Sequence, residues 1–123
     1  MKPLSATEAV ARIEAGTLTA EKLVRDCLDR IAEREPAVRA WAHLDPGLAI
    51  AQARAADALS SGLLRGVPVG VKDIIDTCDM PTGHNSPIFE GKVPFVDAAC
   101  VALCRTENAV ILGKTVTTEF ANR

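Results

Sequence analysis

The stretch Gly66-Val67-Pro68-Val69-Gly70-Val71-Lys72-Asp73 runs apolar residues straight into a lysine. In water an ammonium titrates near about 10.4 and cannot serve as a base at neutral pH, but burial disfavours its charge and lowers that value. A lysine at the carboxyl end of a central strand stands at the usual active-site edge of an α/β sheet. Chemistry that needs a base other than histidine could use it there. Lys72 is therefore the candidate catalytic residue. The competing reading is a solvated strand-end lysine paired with Asp73 or Asp76, and spacing alone favours that reading.

Other chemistry is weaker. Asn108-Ala109-Val110-Ile111-Leu112-Gly113-Lys114-Thr115 ends like a phosphate-binding loop, but Asn108 stands where that loop needs glycine. The residues between read as a strand, not as a turn able to aim N–H groups at phosphates. Ser5, Ser60, Ser61 and Ser86 all lack the Gly-x-Ser-x-Gly elbow of a serine hydrolase, so turn chemistry is expected of them, Ser86 near His84 included. Asp73 and Asp76 have no opposing carboxylate pair and read as cap or turn residues. Cys100 and Cys104 could supply half a metal site, but Cys27 and Cys78 lie elsewhere and His43 and His84 are isolated. Buried free thiols are expected, and no metal.

The elements that must position Lys72 are legible in outline. Ser5-Ala6-Thr7-Glu8 is a capping box opening a helix to about Ala15, stopped by Gly16. Thr19 caps a second helix with Val24, Cys27, Leu28 and Ile31 on one stripe, and Pro36 is expected to end it. Asp45-Pro46 starts an Ala-rich third helix to Leu59. Residues 67–71 read as a strand, and residues 77–95, rich in Pro and Gly, as a long irregular connection of the kind that often carries function. Asp97 is expected to cap a helix to about Glu107. Ala109–Leu112 reads as a strand buried on both faces and ended by Gly113, with a further helix over 116–121. Strand, helix, strand predicts a parallel βαβ unit. Two strands alone would leave open edges.

The chain of 123 residues suits one small domain, and its 48% apolar and 24% charged composition is that of a globular protein. A net charge of −2 with interspersed signs and only Trp41, Phe89, Phe95 and Phe120 as aromatics argue against nucleic acid as a partner. No apolar run approaches the roughly 20 residues of a membrane span. The opening Met-Lys-Pro-Leu-Ser-Ala has no apolar core of a signal peptide, so a cytoplasmic location is expected.

The residues from Gly66 to Asp73 resemble the lysine-bearing strand of the amidase signature family. Asp97-Ala98-Ala99-Cys100-Val101, Ala109 to Thr115, Thr118-Glu119-Phe120-Ala121 and the Ala-rich helix leading through Leu63-Leu64-Arg65 look like that family too, in order along nearly the whole chain. The resemblance implies an α/β fold: an N-terminal helical layer, then the first strands of a large mixed sheet flanked by helices. Residues 1–123 would be the N-terminal part of one amidase signature domain, with 1–62 as the helical layer and 63–123 as the start of the α/β core.

The activity so implied is hydrolysis of a carboxamide C–N bond by a triad of serine, cis-peptide serine and lysine, with Lys72 as the unprotonated base and no cofactor. The substrate would be a small-molecule amide, and some relatives pass ammonia to a second subunit. The two serines and the oxyanion turn belong to a glycine- and serine-rich segment that would follow Asn122-Arg123. Ser60, Ser61 and Ser86 do not match it. The chain alone is thus expected to be inactive, completed by the remainder of the amidase domain or self-associating. A different reading is a non-catalytic module, or truncated pseudoenzyme, docking on a partner chain.

Overall fold

The computed structural model describes residues 3–122, so Met1 and Lys2, the first residues of the stretch expected not to be a signal peptide, lie outside the described residues. Helix α1 (Ala6–Glu14) opens on the expected capping box: Ser5 Oγ accepts from Glu8 N at 3.2 Å, and Ser5 N donates to Glu8 Oε2 at 2.8 Å. Helix α2 (Ala20–Val38) is capped by Thr19, and Val24 and Leu28 of its stripe are buried. Pro36 does not end it, contrary to expectation. Proline removes one backbone donor and crowds the carbonyl four residues earlier, but its fixed φ is helical, and only Ala37 and Val38 follow it in the helix. The helix stops instead at Arg39, left-handed at φ 51°.

A strand the sequence did not predict follows, β1 (Trp41–Leu44), inside the stretch taken as helical layer. Asp45 Oδ1 then accepts from Leu48 N at 3.0 Å and starts α3 (Pro46–Leu59). Its buried face is Ala49, Ala53 and Ala56, side chains small enough to bring the helix close to α2 and the sheet. Strand β2 (Pro68–Lys72), helix α4 (Ala99–Thr106) and strand β3 (Val110–Thr115) form the βαβ unit, with β2 and β3 parallel. The sheet order is β1-β3-β2, and β1 runs antiparallel to β3, so the sheet is mixed.

Three further expectations are corrected. Asp97 is not the cap of α4, whose N-cap is Ala98; its carboxylate is taken by Cys78 N at 2.8 Å and Arg105 Nε at 2.9 Å. Burial raises the Asp97 carboxyl, but these donors outweigh that and hold it below its ordinary 3.8. Gly113 does not end β3. It lies within the strand because a Cβ there would stand 2.5 Å from His43 O of β1. Over 116–121 there is only a 3-10 turn, Glu119–Ala121, since Phe120 is left-handed at φ 48°.

The register carries one irregularity that matters. Val69 pairs with Ile111, but Gly70 pairs with Gly113, so Leu112 is an extra residue in β3. A bulge of this kind reverses the alternation of side chains beyond it. Val110 and Leu112 face the helices with Val24, Leu28, Ala49, Ala53 and Ala56. Ile111 packs on the other face with Val71, Met80 and Val101. Past the bulge Lys114 joins that second face, opposite Val71.

Where β1 ends, the outer edge of β3 is finished by a side chain. Gln52 of α3 accepts from Ile111 N at 3.0 Å and donates to Ile111 O at 3.2 Å. Its amide thus stands in for a strand residue, and Arg105 Nη1 donates to the same Gln52 oxygen at 3.1 Å. No helix of the described residues is long and apolar enough to cross a membrane.

Candidate functional site

Lys72 is the last residue of β2, at the carboxyl end of a parallel pair, opposite Thr115. Within the described residues β2 is an edge strand, not a central one, and the Lys72 side chain is exposed. It forms no ion pair among the described residues. The backbone beyond it turns sharply, because Lys72 O accepts from both Ile74 N and Ile75 N at 2.8 and 2.9 Å.

Asp73 is not a partner for Lys72. Its N–H continues the ladder to Thr115 O at 2.9 Å, and its buried carboxylate points to the opposite face. There Asp73 Oδ1 accepts from Gly83 N at 3.1 Å and lies 3.8 Å from Lys114 Nζ. Gly83 is small by need, since a Cβ would stand 3.1 Å from Asp73 Oδ2. Asp76, the other suggested partner, is exposed and forms no ion pair among the described residues.

Lys114 is the lysine that the protein buries, with 0% of its side chain exposed. Its ammonium donates to Thr82 Oγ1 at 2.7 Å and Pro81 O at 3.1 Å. Desolvation pushes this group below its ordinary 10.5, against the pull of Asp73, Asp76 and Asp79. Together Lys114, Asp73 and Thr82 pin the loop after β2 to the end of the sheet. His84 N adds a bond to Asp73 O at 2.9 Å, and Thr82 N one to Lys92 O at 3.0 Å.

The pinned loop walls an open cleft of about 440 Å3 that includes His43, Asp73, Asn85, Ser86 and Glu90. His84 and Asn85 are left-handed, at φ 53° and 50°. The His84 ring packs at a tilt, 4.8 Å from Phe89 and 6.0 Å from Phe120, and Lys92 Nζ lies 4.9 Å over the Phe89 ring. The connection over 77–95 is thus ordered by aromatic and polar contacts, with a 3-10 turn at Pro87–Phe89.

The remaining sequence candidates fall apart as sites. Ser5 and Ser60 are helix-end residues, and Ser61 accepts from Asn108 Nδ2. All four cysteines are free, but none is fully buried as expected: Cys27 and Cys104 are half-buried, and Cys78 and Cys100 are exposed. Burial raises the Cys27 thiol above its ordinary 9.0. Among the described residues no group of three or more His, Cys, Asp or Glu side chains could hold a metal ion.

The sequence reading missed Lys114 and Thr82, seeing in Lys114 only part of a false phosphate loop. One signal was available. A lysine straight after an apolar run in a strand covered on both faces must find acceptors, and Asp73 lies at the matching end of the parallel neighbour.

The fold has close counterparts. Native peptide amidase from Stenotrophomonas maltophilia superposes with a TM-score of 0.91 at 33% identity, over 98% of this chain and 26% of that one. An amidase family protein from Bacillus anthracis gives 0.86 at 27% identity, over 96% of this chain and 25% of that one. A glutamyl-tRNA(Gln) amidotransferase subunit from Oleidesulfovibrio alaskensis is 48% identical over 118 residues, which are 94% of this chain and 24% of that protein. The chain therefore spans about a quarter of the length of the relatives it matches. The Amidase family model matches residues 22–123, and the chain belongs to the Amidase family.

Proposed function

We propose that this chain is the N-terminal part of an amidase domain, with residues 1–62 as its mainly helical layer and 63–123 as the start of its α/β core. Its chemical contribution is the base Lys72 for hydrolysis of a carboxamide C–N bond. The observation that carries the reading is the placement of Lys72. Among the described residues it stands at the carboxyl end of a parallel strand, unpaired and exposed on an edge that a further strand could cover, while the neighbouring aspartate is committed to another lysine.

In the complete domain the neutral amine of Lys72 takes a proton from a bridging serine, which takes one from a nucleophilic serine. The nucleophile's oxygen bonds to the amide carbonyl carbon, the C–N bond breaks, and the proton returns along the same path to the departing nitrogen. Water then hydrolyses the ester by the same relay. Both serines and the donors for the oxyanion come from outside this chain, so residues 1–123 alone turn over no amide. No cofactor takes part. The substrate is a small-molecule amide, and 48% identity to an amidotransferase subunit favours a primary carboxamide as ammonia source. The location proposed is the cytoplasm.

The test is ammonia release from a panel of carboxamides by the full-length polypeptide that carries these residues. Lys72→Ala is expected to lower the rate at least about a thousandfold, since members of such a triad act as a unit. Activity retained in Lys72→Ala would sink the proposal. Wild-type protein inactive on the panel, yet captured by a second chain, would favour a second reading. That reading, a docking module without catalysis, draws on the exposed apolar side chains Ile88, Phe95 and Val96.

A further inference from the structure

Three residues stand in one row across the sheet. Trp41 of β1 is opposite Thr115 of β3, and Thr115 is opposite Lys72 of β2. The Trp41 indole reaches along this face over two glycines. A Cβ on Gly113 would meet Trp41 Cε3 at 3.0 Å, and one on Gly70 would meet Trp41 Cη2 at 3.0 Å and Thr115 Cγ2 at 3.2 Å. Gly70 has no positive φ, so space and not backbone conformation is what a side chain there would lack.

Gly70 is two residues before Lys72 and on the same face, roughly 6.6 Å away at about 3.3 Å per strand residue. No side chain at Gly70 separates the far edge of the indole from the lysine stem. The Thr115 methyl fills the flank between. The charged groups of the buried strut, Asp73 and Lys114, lie on the other face and leave this one apolar.

We propose that Trp41 is a positioning residue for Lys72. Its indole, admitted across β3 and β2 by Gly113 and Gly70, forms with Thr115 an apolar floor that sets the direction of the lysine stem and keeps water from that side. The inference rests on the proposed role of Lys72 as base. It explains why an aromatic side chain on a four-residue edge strand is half-buried over glycines instead of over the helices alone.

The experiment compares Trp41→Leu, Trp41→Phe and Gly70→Ala in the full-length polypeptide, with thermal midpoints to confirm folding. Trp41→Leu is expected to lower kcat at least about tenfold with KM within about twofold, as a misplaced catalytic group does. Trp41→Phe should keep kcat within about threefold of wild type, because a ring still covers Gly70. Gly70→Ala, whose methyl displaces the indole edge, should fall between them. Folded Trp41→Leu with unchanged kcat would overturn the inference, as would Phe and Leu variants that lose kcat equally. Should Trp41→Leu not fold, unchanged kcat in Gly70→Ala overturns it alone. The parent reading fails separately, if Lys72→Ala keeps its activity.

Discussion

Lys72 and Lys114 leave paired strands on opposite faces of one sheet, one exposed and without an ion pair among the described residues, the other wholly buried. The difference follows from parity along the strands. Lys114 is level with Val71, and the residues that share a face with Val71 are Val69 and Asp73, so Lys72 points the other way. The Asp73 carboxylate goes to the lysine that has no access to water, where an uncompensated charge would cost far more than at the surface.

Substituting the two lysines should therefore affect stability very differently. Lys72→Ala is expected to change the unfolding free energy by no more than about 0.5 kcal/mol, the usual range for exposed positions. Lys114→Met should cost about 3–5 kcal/mol, because it leaves Asp73 buried without a counter-ion. Adding Asp73→Asn to Lys114→Met should recover part of that loss. Urea midpoints of the three variants check the order.

Alkaline pH should stabilise the wild type through Lys114. Its folded pKa lies below the unfolded value of 10.5, so between the two the unfolded chain binds more protons. Stability then rises as pH climbs through the depressed folded value, and levels off near 10.5. The Lys114→Met variant should lack this rise. Thermal midpoints followed from neutral to pH 10.5 in both proteins decide it.

Gln52→Leu tests the amide that stands in for a strand. It strips partners from Ile111 N and Ile111 O in the buried centre of β3, at about 1–3 kcal/mol for each group left unsatisfied. The Ile111 amide should exchange with solvent much faster than in wild type while the Val110 amide, which donates to Val67 O, keeps its protection. Equal protection of Ile111 in both proteins would show that the edge is held by something else.

Much of the fold was legible because its signals are local. The Ser5–Glu8 capping box, the Asp45-Pro46 start and the apolar run at 109–112 each depend on a few adjacent residues, and each element formed. The failures involve partners far along the chain. Trp41–Leu44 has too few residues and no β-branched pattern to announce a strand, and it exists because β3 offers it an edge. Gly113 stays inside β3 for the sake of His43, seventy residues earlier. Asp97 has the chemistry of a cap, yet Arg105 and Cys78 claim it once the loop closes. At the site, Lys72 stood out by its position after a valine-rich strand. Lys114 did not, because its acceptors Thr82 and Pro81 belong to a loop whose path no periodicity describes.

The unmatched residue at Leu112 is the one position of β3 that the pairing with β2 skips. An exchange of one aliphatic side chain for another there alters packing locally. Loss of the residue would leave Ile111, Gly113 and Lys114 opposite Val69, Gly70 and Val71 as they are now, in a flush ladder with every later side chain on its present face. Lys114 would stay beside Asp73 and Thr82, and the cost would fall on the helix-facing core that Leu112 fills. Across homologous chains, a β3 shorter by this one residue should therefore keep its lysine, a pattern of spacing that would persist even where the residues themselves have diverged.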